Sequence, residues 1–173
     1  MKHTISVLVQ NEAGVLSRIA GLFSGRGFNI ESLTVAPTQD QDYSRVTIIT
    51  TGDDNVIEQI TKQLNRLINT IKVMDITGEG SIERELVLVK VAAKEEDRSE
   101  ILRIAEIFDA KIVDATSRTY TLEAMGDDMK IKSFIELLRA VGIRELVRSG
   151  KVAISREMQF NNVSSTSSRA VAG

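Results

Sequence analysis

The chain has 173 residues with a hydrophobic fraction of 42%, which suits one ordinary domain or two small ones, each near the lower size at which a single core holds a fold. Its 22 Lys and Arg against 24 Asp and Glu give a net charge of −2, without the basic footprint that nucleic acid or an anionic membrane surface requires. With no cysteine and one histidine, thiolate catalysis, cysteine-ligated zinc and disulfides are excluded, and His3 reads as a surface or packing residue of a first strand.

In chain order, the apolar run Ile5, Val7, Leu8, Val9 reads as a strand near 4–9. A short polar turn containing Gly14 then opens a helix near 14–24, where Leu16, Ile19, Ala20 and Phe23 recur at i, i+3, i+4 and i+7. Gly25-Arg26-Gly27 ends that helix, Phe28 can pack back on it, and Asn29 and Ile30 start a strand near 30–36. A strand near 45–51, a helix near 54–67 capped by Asp53 or Asp54, and a strand near 71–76 complete a first unit. Gly78-Glu79-Gly80-Ser81 begins a linker over 78–84. It resembles the start of a dinucleotide fingerprint, but Glu83 and the strand that follows remove the context that motif needs.

The second unit has a strand near 85–91, a helix near 98–108, strands near 111–117 and 119–125, and a helix near 128–141 stopped by Gly142. Short strands near 144–147 and 152–154 follow. The motif RIAGLF at 18–23 returns as RIAEIF at 103–108, so the same helix face recurs 85 positions later. The fold class is therefore α+β: two tandem βαββαβ ferredoxin-like domains, 1–77 and 85–156, each an antiparallel sheet with helices on one face. The Asn/Ser/Thr-rich segment 157–173 has no periodicity and reads as a disordered tail. No basic-then-apolar leader is present, and no apolar run approaches the roughly 20 residues of a membrane span, so a soluble cytoplasmic protein is expected. The sequon Asn162-Val163-Ser164 is disregarded for want of a secretory route.

A strand feeding a helix N-terminus makes an anion cradle: free N–H groups at Ala13, Gly14 and Val15 would point at a carboxylate or phosphate, with no Cβ at Gly14 to bar its approach. Read from residue type alone, Asn11 is more often a turn residue or helix cap and Gly14 a turn glycine, and Asn29 is equally a helix-stop residue. Ser17 and Arg18 fall on a solvated or interface face.

The segment NEAGVLSRIAGLFSGRGFNIESLTV (11–35), continued by NIESLTVAPT (29–38) and SRVTI (44–48), resembles the ACT domain that opens the regulatory (small) subunits of acetohydroxyacid synthase, also called acetolactate synthase. The resemblance extends to about residue 156. It implies a chain without a catalytic site of its own, one that activates a catalytic (large) subunit and confers feedback inhibition by valine in branched-chain amino acid biosynthesis. Thiamine diphosphate, magnesium and FAD are expected on that catalytic subunit, and none on this chain. It also implies a homodimer through the ACT domains, in which loop 11–16 of one protomer faces Asn29 and Ile30 of the other. The N–H groups of Ala13, Gly14 and Val15 would then hold the carboxylate of valine. Amide oxygens of Asn11 or Asn29 would accept from its ammonium, and Val15, Leu16, Ile30, Val35 and Ala36 would line its side chain.

At the offset of 85, Asn11 becomes Glu96, Gly14 becomes Ser99 and Asn29 becomes Asp114, so the second unit keeps the fold pattern without the binding set. That leaves it assembly or contact with the catalytic chain. Independent catalysis is disfavoured by scattered serines without a nearby base, and RNA binding by the lack of strand aromatics at 45–51. The alternative is a free-standing ACT-type amino-acid-binding regulator of another enzyme or of transcription.

Overall fold

The computed structural model describes residues 1–78 and 80–156. The first unit runs β1 (Lys2–Gln10), α1 (Val15–Gly25), β2 (Ile30–Pro37), β3 (Tyr43–Thr51), α2 (Asp54–Asn65), β4 (Thr70–Asp75). Its strands pair antiparallel in the order β2-β3-β1-β4. Alternation along β1 sends Ile5, Val7 and Val9 to the helices, where they meet Ile19 and Phe23 of α1 and Ile57, Ile60 and Leu64 of α2 in one buried core. Asp53 is the residue that caps α2, its carboxylate accepting from the Val56 N–H at 2.9 Å. After α1 the chain turns at Gly27, with φ +70°, and the Phe28 ring packs edge-on against Phe23 at 6.2 Å between centroids.

The second unit runs β5 (Ser81–Ala92), a 3₁₀ turn (Glu95–Asp97), α3 (Arg98–Ile107), β6 (Lys111–Ala115), β7 (Thr119–Gly126), α4 (Asp128–Val141), β8 (Ile143–Arg148) and β9 (Val152–Ser155). Its sheet repeats the first, in the order β6-β7-β5-β8, over a core of Val87, Val89, Ile101, Ile104, Leu122, Phe134 and Leu138. The fold is thus a tandem pair of ferredoxin-like units.

Three boundaries differ from expectation. Residues 81–84 are strand rather than linker, because β9 pairs antiparallel with them, Ser81 with Ser155 through Arg84 with Val152. The strand expected over 111–117 stops at Ala115, where the Thr116 hydroxyl takes over the N–H groups of Arg118 and Thr119 in a tight turn. The strand expected near 152–154 runs Val152–Ser155 and pairs only with the first part of β5. The expected tail lies outside the described residues.

The β5–β9 ribbon and the turn before it lie against the helix-free face of the first sheet. Ala153 of β9 packs with Met74 and Ile76. The Thr4 hydroxyl donates to Glu83 at 2.5 Å, and the Thr34 hydroxyl to the Lys151 carbonyl at 2.7 Å. His3 is a packing residue, buried with its Nδ1 2.9 Å from Asp75 Oδ2.

Candidate functional site

The loop between β1 and α1 is built by its own main chain and by two neighbours. The Asn11 N–H donates to the Asp42 carbonyl at 2.7 Å, and the Asn11 side-chain nitrogen donates to the Gln41 carbonyl at 2.9 Å. Both bonds tie the loop to the β2–β3 turn. They commit the amide nitrogen of Asn11 and leave its Oδ1 as an acceptor. Gly14 caps α1 at φ +86°, ψ −6°, the left-handed region that side chains with a Cβ resist. A Cβ there would meet nothing within 4 Å, so the space before the helix is open. Backbone conformation, not crowding, dictates the glycine.

Of the three N–H groups expected to be free, that of Val15 is drawn 3.4 Å from the Glu12 carbonyl, while those of Ala13 and Gly14 have no partner among the described residues. The next two, at Leu16 and Ser17, are likewise open in the first turn, so the cradle sits slightly further into the helix than expected. The Val15 side chain, 7% exposed, belongs to the core and cannot line an open pocket. Leu16, 42% exposed, stands at the open end of the helix.

Residue-by-residue reading missed Asn69, at the turn before β4 and 5% exposed. Its nitrogen donates to Glu12 Oε2 at 2.8 Å and to Gln10 Oε1 at 3.2 Å, its Oδ1 accepts from Arg18 Nη1, and its carbonyl accepts from the Gln10 N–H at 2.9 Å. One buried amide therefore braces the loop on both sides of Gly14, and Arg18 is held rather than merely solvated. The available signal was a single Asn within the apolar stretch Leu67, Ile68, Ile71.

The β2 residues fall in two places. Antiparallel pairing sets Pro37 opposite Ser44 and Gln10 opposite Tyr43, so Val35 and Ala36 lie at the loop's end of the sheet. Ile30 pairs with Thr50 at the other end, roughly 20 Å away at about 3.3 Å per residue. Asn29 is there too, its carbonyl accepting from the Thr50 hydroxyl at 2.6 Å and its side chain exposed. One chain does not bring Asn11, Ala13, Gly14 and Leu16 to Asn29 and Ile30. Val35 and Ala36 also project to opposite faces of β2, Val35 on the helix side opposite Val46 and 46% exposed, Ala36 beside Arg45 on the helix-free side. Burial holds the Arg45 guanidinium below the ordinary arginine range. At the Ile30 end, the Lys2 ammonium 2.6 Å from Glu31 holds that carboxyl below the usual carboxylate range, helped by the Thr51 hydroxyl.

In the second unit the equivalent positions make a different surface. Glu96 lies in the 3₁₀ turn with Glu95 and Asp97, Ser99 in the first turn of α3, and Asp114 in β6. Three carboxylates at that helix N-terminus repel an anion where the first unit would accept one.

Comparison with known proteins finds two family matches in tandem along the chain. Residues 5–72 match the model of the AHAS small subunit-like ACT domain, and residues 84–157 that of the small subunit of acetolactate synthase. A probable acetolactate synthase small subunit of Archaeoglobus fulgidus is 56% identical over 156 residues, covering 90% of this chain and 98% of the relative. The acetolactate synthase small subunit of Aquifex aeolicus is 54% identical over 160 residues, covering 92% of this chain and 83% of the relative. Among solved structures, the acetolactate synthase small subunit of Thermotoga maritima superposes with a TM-score of 0.84 at 39% identity, covering 92% of this chain and 99% of that one. Two family models in tandem, full-length relatives and one shared architecture lead to a single conclusion: the chain belongs to the acetolactate synthase small-subunit family.

Proposed function

We propose that this chain activates a thiamine-diphosphate-dependent acetolactate synthase catalytic subunit and makes it responsive to valine. The observation that carries the reading is the open N–H cradle at Ala13, Gly14, Leu16 and Ser17 beside the free Oδ1 of Asn11, while the remaining polar candidate, Asn29, lies at the far end of β2. An α-amino acid needs donors for its carboxylate and acceptors for its ammonium. Two copies related by a two-fold axis, joined along the outer edges of their β2 strands, would bring the loop of one protomer to Asn29 and Ile30 of the other. A small branched side chain would then rest against Leu16, Ile30 and Val35.

Valine binding across that interface favours one arrangement of the paired units, and that arrangement supports the partner's active state less well. The second unit, with its acidic turn in place of a cradle, serves assembly or contact with the catalytic chain. Thiamine diphosphate, magnesium and FAD belong to that chain, and the complex works in the cytoplasm in the pathway to valine, leucine and isoleucine.

The test is the rate of pyruvate condensation by a cognate catalytic subunit, titrated with this chain and then with valine. A rise followed by a saturable fall is expected. An unchanged rate at both steps would contradict the reading and turn attention to a regulator of some other enzyme.

A further inference from the structure

The turn between β8 and β9 is tied firmly to the second unit and reaches out to one strand of the first. Arg148 closes a two-pronged ion pair with the buried Glu85, Nε to Oε1 at 2.9 Å and Nη2 to Oε2 at 2.5 Å. The Ser149 N–H donates to the Leu86 carbonyl at 2.9 Å, and the Ser149 hydroxyl accepts from the Leu86 N–H at 3.1 Å. The turn therefore moves with β5.

From this base, Lys151 grips β2. Its N–H donates to the Ser32 hydroxyl at 3.3 Å, and its carbonyl accepts from the Thr34 hydroxyl at 2.7 Å. Among the described residues, both hydrogen bonds from β2 to the second unit end on Lys151. Gly150 adopts φ +79°, and a Cβ on it would lie 2.7 Å from Ser32 Oγ and 2.9 Å from Thr34 Cγ2, so only glycine lets the turn seat. Beside this contact lies a groove of about 370 Å³ bordered by Lys2, Glu31, Leu33 and Arg148.

The Lys151 side chain carries the connection onward. The residue is 8% exposed, and its ammonium lies 3.1 Å from Glu83 Oε2 on β5 and 3.3 Å from Asp128 Oδ1 at the start of α4. Glu83 also accepts from Thr4 of β1. Backbone and ammonium of one residue thus join β2, β5 and α4.

Ser32 and Thr34 sit between the two ends of β2 where the candidate effector contacts lie. We propose that the Gly150–Lys151 turn is the coupling element through which effector occupancy at β2 reaches the second unit, with Lys151 as its positioning residue. The inference rests on the effector reading above.

The experiment uses the full chain with its catalytic subunit and three variants, Gly150→Val, Lys151→Met and Lys151→Arg. Valine binding to each chain is measured by calorimetry, folding by thermal unfolding, and valine inhibition on the reconstituted enzyme. Gly150→Val and Lys151→Met should bind valine with wild-type affinity and activate normally, yet raise the valine concentration for half-inhibition by about 5- to 150-fold. Lys151→Arg keeps a cation between Glu83 and Asp128 and should retain the response. If Gly150→Val fails to fold, the two Lys151 variants decide. Folded variants inhibited like a responsive wild type would overturn the coupling alone. A wild-type chain that neither binds valine nor responds to it would overturn the effector reading, and the coupling with it.

Discussion

At Gly14 the left-handed conformation asks for glycine, and substitution separates that demand from the residue's place in the proposed site. Gly14→Ala places a Cβ in open space but at φ +86°, so it should cost about 1 kcal/mol of stability in chemical denaturation while leaving the cradle in place. Gly14→Asp adds a negative charge where a carboxylate would approach, so it should abolish valine inhibition and spare activation; an unchanged valine response would remove Gly14 from the site. Asn69→Ala leaves Glu12 and Arg18 without their shared partner and should destabilise the chain by about 1–3 kcal/mol, measured in the same way. Asn29→Ala should weaken valine binding in calorimetry by about 1–3 kcal/mol through one lost polar contact. The turn roles of Asn11 and Gly14 were legible because turn chemistry is local. Val15 was not, because the direction of a side chain at a helix start depends on where the helix docks, and Asn69 was not, because its partners are more than 50 positions away.

Elements with a clear period declared themselves: Ile57, Ile60 and Leu64 on α2, and Ile131, Phe134, Ile135 and Leu138 on α4, are all buried. Their caps repeat as well, Asp127 accepting from the Lys130 N–H at 2.8 Å as Asp53 does from Val56. Alanine at either should cost about 1 kcal/mol in denaturant unfolding, whereas alanine at Asp54, whose carboxylate the structure does not use as the α2 cap, should cost less. What local pattern could not reveal was the extent of β5. A glycine-rich start reads as linker, yet residues 81–84 become strand because a segment some 70 positions later supplies the pairing edge. The two roles of β2 were similarly hidden. Its alternation was visible, but not that Ser32 and Thr34 would meet the second unit while Leu33 faces the core.

Over the whole molecule, the two units share one sheet order while their helix-opening loops differ, one with main-chain N–H groups unpartnered among the described residues and the other lined with carboxylates. The units meet through hydrogen bonds and the apolar contact of Ala153 with Met74 and Ile76, and behind that contact stand ion pairs of the second unit whose pH dependence follows from their charges. Burial works against the charge of Asp128, but Lys132 and Lys151 outweigh it and hold the carboxyl below the ordinary range. Burial likewise opposes the charge of Lys151, and Glu83 and Asp128 outweigh it, holding the ammonium above the ordinary lysine range. The contribution of Asp128 is therefore fully present above about pH 4 and lost as pH falls through its lowered folded value; that of Lys151 persists below about pH 10 and is lost above its raised one. Asp128→Asn should flatten the decline of unfolding free energy below about pH 4, and an identical acid limb would contradict this. At this scale the central claim is that the effector site is shared between two copies of the chain. It is tested most directly by mixing a Gly14→Asp chain with an Asn29→Ala chain and counting valine sites by calorimetry after subunit exchange. A shared site predicts that each variant alone binds poorly, while the mixture regains about one quarter of the wild-type sites, because each mixed dimer pairs one intact loop with one intact Asn29. A mixture that binds no better than its components would contradict a site built from two chains.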